Sequence, residues 1–215
     1  MEGRGWDLFS LALVVAALYT AGLVRRRGKA FWTEPLAAAD RDLARRAGFL
    51  WLFPASVILH ELGHAVATWA VGGTIVQFHF AGFSGFVVPE GRFTPPQAWL
   101  IAVAGPAVSV LVAIALLAAG QWLARLGTTA RLVLVDGGGF QLTWILVGYP
   151  LFALAGLRDF RVIYVFRSMP ALSALAAVVQ AGLILLLSRG WHRRAEEAVL
   201  AGARLPPQEQ GQPRS

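Results

Sequence analysis

Apolar residues along this chain run in five long, nearly charge-free stretches, and the segments between them hold most of the arginines. The stretches are Leu8–Val24, Gly48–Val71, Gln97–Leu123, Gly137–Leu157 and Pro170–Ser188. Crossing the hydrocarbon of a bilayer takes about 20 apolar residues in a helix, and each stretch meets or approaches that length. Between the second and third the pattern changes. Gly72-Gly73 is followed by Val76, Phe78 and Phe80 on alternate positions, then by Gly82, Ser84 and Gly85. That reads either as a pair of short strands or as an ordinary extracytoplasmic loop.

Composition fits the pattern. The 215 residues are 57% hydrophobic and 14% charged, with a mean hydropathy of +0.60. Soluble domains carry about 25% charged residues, so this chain lacks the charge to cover a water-facing surface. Its formal charge of +7 does not point to nucleic acid, because the arginines cluster in the gaps between spans, as in loops beside lipid headgroups. Lys29 is the one lysine among 19 basic residues, a usage typical of GC-rich bacterial genomes. With no cysteine, neither a disulfide framework nor a thiolate metal site can form, and any metal must be held by histidine and carboxylate.

Positive charge sets the expected orientation. Seven basic residues fall between Arg25 and Arg46, against Arg92 alone in 72–96, so the first loop is expected in the cytoplasm and the second outside. Arg125, Arg131, Arg189, Arg193 and Arg194 then fall inside. Arg158, Arg161 and Arg167 fall on the outer side, which points to a fourth segment that is broken and partly buried. The positive charges beside the first stretch follow it rather than precede it, so it reads as a retained helix and not a cleaved leader. Residues 1–192 are expected to form a single membrane domain, and 193–215 a polar, disordered tail.

The chemistry is concentrated in the second stretch, where His60-Glu61-Leu62-Gly63-His64 stands among uncharged residues on both sides. On a helix, positions four apart lie about 40° apart, so both imidazoles face one way and can grip one ion. Glu61 lies about 100° round from His60 and can reach a water in the site without being a ligand. This is the zinc-hydrolase arrangement. A chance pentapeptide on a buried helix is the plain alternative. Ionisable groups at bilayer depth are costly to leave without a partner, and that favours the metal.

These residues resemble the site-2 protease family of zinc intramembrane metalloproteases. The likeness rests on His60-Glu61-Leu62-Gly63-His64, on Ala104-Gly105-Pro106 in the next span, and on the 72–85 segment, which resembles that family's hairpin. Gly105-Pro106 also has a simpler reading as a kink at a close helix contact. The resemblance implies an all-α polytopic membrane protein of about five transmembrane helices, with a small β-hairpin-like insertion after the motif helix. An edge strand there could pair with an unwound substrate. His79, in the same segment, reads as a loop histidine or as a further polar group near the site.

The resemblance also implies a third zinc ligand, an aspartate late in the chain, because a catalytic zinc takes three protein ligands and one open position. The family's intact Leu-Asp-Gly pattern, with its preceding asparagine, is missing. Of the five aspartates, Asp7, Asp40 and Asp42 precede the motif in polar flanks. Asp136 has glycines after it, but it precedes the fourth apolar run and reads as a surface turn. Asp159 follows Tyr149-Pro150 and Gly156, where a helix can break, and its simpler reading is an ion pair with Arg158 or Arg161. Asp159 is the preferred third ligand and Asp136 the reserve.

The expected function is zinc-dependent hydrolysis of peptide bonds in membrane-anchored proteins, with His60, His64 and Asp159 as metal ligands and Glu61 as the base. Two alternatives stand beside it. One is an inactive relative that binds membrane partners without cutting them. The other is a metal carrier, which would call for ionisable groups along several spans.

Overall fold

The computed structural model describes residues 3–33, 36–153 and 158–204. It is an all-α polytopic membrane protein with one small hairpin. Helix α1 (Gly3–Arg27) leads through a 3-10 turn (Gly28–Trp32) to α2 (Ala38–Ala70). The antiparallel strands β1 (Thr74–Phe80) and β2 (Gly85–Glu90) come next, then α3 (Pro95–Trp122) and α4 (Thr128–Thr143). A π-helical turn (Trp144–Gly148) continues α4 into α5 (Tyr149–Ala153), and α6 (Arg158–Ile163), α7 (Pro170–Ser188) and α8 (Trp191–Arg204) follow. Among the described residues, five helical segments are long and apolar enough to cross a membrane: Leu8–Trp32, Ala38–Ala70, Pro95–Trp122, Thr128–Leu151 and Pro170–Ala201.

The third and fifth apolar stretches give the bounds of α3 and α7 to within two residues. The second and fourth begin earlier than hydropathy indicates. α2 gains polar turns in which Asp40 meets Arg27 at 3.5 Å and Asp42 meets Arg45 at 3.6 Å. α4 starts at Thr128, which places Asp136 in mid-helix and not in a turn. The disordered tail expected from residue 193 is corrected over its first part. Residues 193–204 lie in α8, which buries Ala195 and Val199 in the core. The rest of that tail, and residues 154–157 at the end of the predicted fourth span, lie outside the described residues.

Local chemistry sets the ends of the central helices. α2 stops in a Schellman motif: Gly72 has φ +83°, its N–H bonds the Trp69 carbonyl, and the Gly73 N–H bonds the Thr68 carbonyl. α3 starts on Thr94, whose backbone N–H donates to Gln97 Oε1 at 2.9 Å, with Pro95 in the first turn. At its far end Arg131 donates to the Gly120 and Gln121 carbonyls at 2.8 and 2.9 Å, supplying donors that a helix terminus lacks.

α2, α3 and α4 pack closely because glycine stands at their crossings. A Cβ on Gly48 would lie 2.6 Å from the Val133 carbonyl oxygen, and one on Gly137 would lie 2.7 Å from that of Gly48. Gly138 meets the Ala113 carbonyl, and Gly63 that of Ala104, in the same way. α1 and α7 lie outside this trio with Leu8, Leu18, Val178 and Leu185 exposed, as helices facing acyl chains should be. The hairpin is tied down at its tip. Phe83 stacks on Phe53 and touches Phe49, while Ser84 Oγ lies 3.0 Å from Ser10 Oγ on α1.

Candidate metal centre

His60 and His64 stand one turn apart on the buried face of α2, and α3 crosses that face. Ile101, Gly105 and Ser109 recur every four residues along α3, so they share one stripe, and each meets an imidazole. His64 Nδ1–H donates to the Ile101 carbonyl at 2.7 Å. A carbonyl only accepts, so the proton is on Nδ1 and the Nε2 lone pair is free. His60 Nδ1 lies 2.9 Å from Ser109 Oγ, a hydroxyl that can accept its proton and so leave Nε2 free. Between these two contacts sits Gly105. A Cβ there would lie 2.3 Å from His64 Nε2 and 2.8 Å from His60 Nε2. The glycine keeps open the space into which both nitrogens point. Pro106 adds a missing N–H in the same turn of α3.

Asp159 closes the third side from the first turn of α6. That short helix is fixed by Phe160 and Ile163, which pack with Ala102 of α3, and by its last carbonyl. Ile163 O accepts from Trp99 Nε1 at 3.1 Å and from Ser173 Oγ at 2.9 Å. With Phe160 turned into the core, Asp159 faces the histidines. Its Oδ2 lies 3.4 Å from His60 Nε2 and 3.3 Å from His64 Nε2, and the two nitrogens are 3.1 Å apart. Burial pushes the Asp159 carboxyl up, and the His60 and His64 rings, when protonated, more than offset this, holding it below the usual carboxylate range.

The three donors fit a metal ion. Ligand distances of about 2.0–2.2 Å place the corners of a tetrahedron about 3.3–3.5 Å apart, close to the separations seen here. With both rings neutral, as metal binding requires, two lone pairs and a carboxylate oxygen converging this tightly repel unless a cation lies among them. His60, His64 and Asp159 are thus a group that can hold a metal.

Glu61 is also buried. Strand β2 runs against it: a Cβ on Gly85 would lie 3.2 Å from Glu61 Cγ, and the Val87 backbone N–H interacts with the carboxylate. The hairpin thereby covers the acid on the side away from α3. His79 is in β1 opposite Phe86, with the two rings stacked at 5.0 Å. Asp136 is not at this centre. It is 9% exposed in α4, with Oδ1 3.2 Å from His192 Nε2.

Sequence reasoning did not reach Tyr149. Its hydroxyl donates to Asp159 Oδ2 at 2.8 Å, and its ring meets His60 edge-on at 5.7 Å. It stands just after the π-helical turn, an irregularity frequent at functional sites, where Gln180 of α7 donates to the Leu146 carbonyl at 2.7 Å. The available signal was a tyrosine beside a proline, ten residues before the preferred aspartate.

Two imidazoles and a carboxylate gathered between helices of a polytopic fold form a group that could hold a metal ion. Residues 49–197 match a family model described as Peptidase M50B-like. That is more than half of the chain, and the chain belongs to this family, within the site-2 protease group. No curated protein and no solved structure matches it.

Proposed function

We propose that this protein is a zinc-dependent intramembrane endopeptidase that hydrolyses peptide bonds of membrane-anchored proteins, and that it works in a bacterial cell membrane. The observation that carries the reading is the convergence of His60 Nε2, His64 Nε2 and Asp159 Oδ2 within 3.1–3.4 Å beside the buried Glu61. Membership of a peptidase family supports it. Zinc bound there would polarise the scissile carbonyl and bring the pKa of water to about 7.

The remaining work falls to the chain's own side chains. Ile101 and Ser109 orient the two imidazoles, and Tyr149 orients Asp159. Glu61 accepts the proton of the attacking water and returns it to the leaving amine. A transmembrane substrate must first unwind, because a helix hides its carbonyls in hydrogen bonds. The hairpin over Glu61 offers extended backbone on which an unwound segment can lie. An inactive relative that only binds partners would have no use for a buried carboxylate beside its metal.

The test is cleavage of a set of single-span peptides carrying helix-breaking residues, read by mass spectrometry on purified protein in detergent. Zinc-loaded wild type should cut. Glu61→Gln should cut about 10²–10⁴-fold more slowly while retaining its metal. Equal cutting by both would overturn the assignment of Glu61, and a zinc-loaded wild type that cuts none of the peptides would favour partner binding.

A further inference from the structure

Some 18 Å along α2 from His60, counting about 1.5 Å per residue from the Gly48–Gly137 crossing, lies a second gathering of ionisable groups. A cleft of about 460 Å³ opens between α2, α4 and α8, lined by Arg45, Asp136, Gly139, His192 and Glu196 among others. His192 and Glu196 stand four apart on α8 and so share a face. Asp136 Oδ1 meets His192 Nε2 at 3.2 Å. Glu196 Oε1 accepts from Arg45 at 2.5 Å. One donor atom each from Asp136, His192 and Glu196 lie within 4.8 Å of one another.

One feature shows that this group is not satisfied by its own contacts. Asp136 Oδ2 is buried and has no hydrogen-bond partner among the described residues, on a side chain only 9% exposed. Such an oxygen is costly to keep from water unless something positive meets it. Gly139, meanwhile, makes room for the ring, because a Cβ there would lie 2.1 Å from His192 Cδ2.

We propose that Asp136, His192 and Glu196 form a second divalent-cation site, separate from the peptidase centre, which ties α8 to α4. One imidazole and two carboxylates suit a borderline ion such as Zn²⁺ or Mn²⁺. Arg45 competes for Glu196 and the donors stand wider apart than in the first centre, so this site binds more weakly and exchanges with free metal.

The experiment is equilibrium dialysis of the full chain in detergent against increasing free Zn²⁺, with bound zinc counted per chain and melting temperature followed in parallel. Wild type should take up one more ion than Glu196→Gln or His192→Ala, and its melting temperature should rise with that uptake. Arg45→Gln should fill the site at a lower zinc concentration. Asp159→Ala keeps all three donors and should retain this weaker uptake, so failure here and failure of the peptidase centre are told apart. Equal zinc in wild type and the near-isosteric Glu196→Gln, up to millimolar free ion, would overturn the proposal.

Discussion

The hydroxyl of Tyr149 donates to Asp159 Oδ2 at 2.8 Å, the same oxygen that faces both imidazoles. A group that orients a metal ligand is worth about 10–100-fold in metal affinity. Tyr149→Phe keeps the ring against His60 and Phe160 and removes only the donor. Zinc affinity, measured by competition with a chelator, should therefore fall by about that factor without loss of fold. An unchanged affinity would mean that α6 alone holds Asp159 in place.

Gly105→Ala makes a sharper separation. In a helix interior alanine is more favourable than glycine by about 1 kcal/mol, so α3 itself should gain. The new methyl, however, would occupy the space between His60 Nε2 and His64 Nε2. The expected result is a folded protein that neither retains metal nor cuts. Elemental analysis beside a melting curve reads both halves of that statement.

Helix packing can be tested away from the chemistry. Gly48→Val places a side chain against the Val133 carbonyl and the backbone of Gly137, and overpacking of this kind costs about 1–3 kcal/mol. Gly22→Ala on α1 has nothing within 4 Å of the new carbon. The first should lower the melting temperature clearly, and the second should leave it level or raise it.

Acidification provides a further check. The His60 and His64 rings hold the Asp159 carboxyl below the ordinary range. A carboxyl lowered in the folded state contributes stability that is fully present above the unfolded value of about 3.9 and is lost as pH falls through the folded one. The melting difference between metal-free wild type and Asp159→Asn should thus shrink as pH falls below about 4. A difference that stays level from about pH 5 to 3 would show that Asp159 does not hold its charge as described.

The spans and the His60-Glu61-Leu62-Gly63-His64 motif were legible because each depends on local sequence, on apolar length in one case and helical spacing in the other. Asp136 misled for a physical reason. Asp-Gly followed by further glycines marks a turn in a soluble chain, but here Gly137, Gly138 and Gly139 let α4 meet Gly48, Ala113 and His192. The ordering of residues 193–204 was hidden in the same way, because Ala195, Val199 and Leu200 touch the core from among polar neighbours. The choice of Asp159 rested on elimination and resemblance, and the structure places it beside His60 and His64. Its partner Tyr149 depends on a contact across a helix break, and no periodicity reports that.

The most direct measurement is the zinc that the protein retains after dialysis against metal-free buffer, compared among wild type, Asp159→Ala and Asp136→Ala. A centre of His60, His64 and Asp159 predicts about one tightly held ion in wild type, kept by Asp136→Ala and lost from Asp159→Ala. Loss from Asp136→Ala with retention in Asp159→Ala would contradict it, and would move the third ligand to α4.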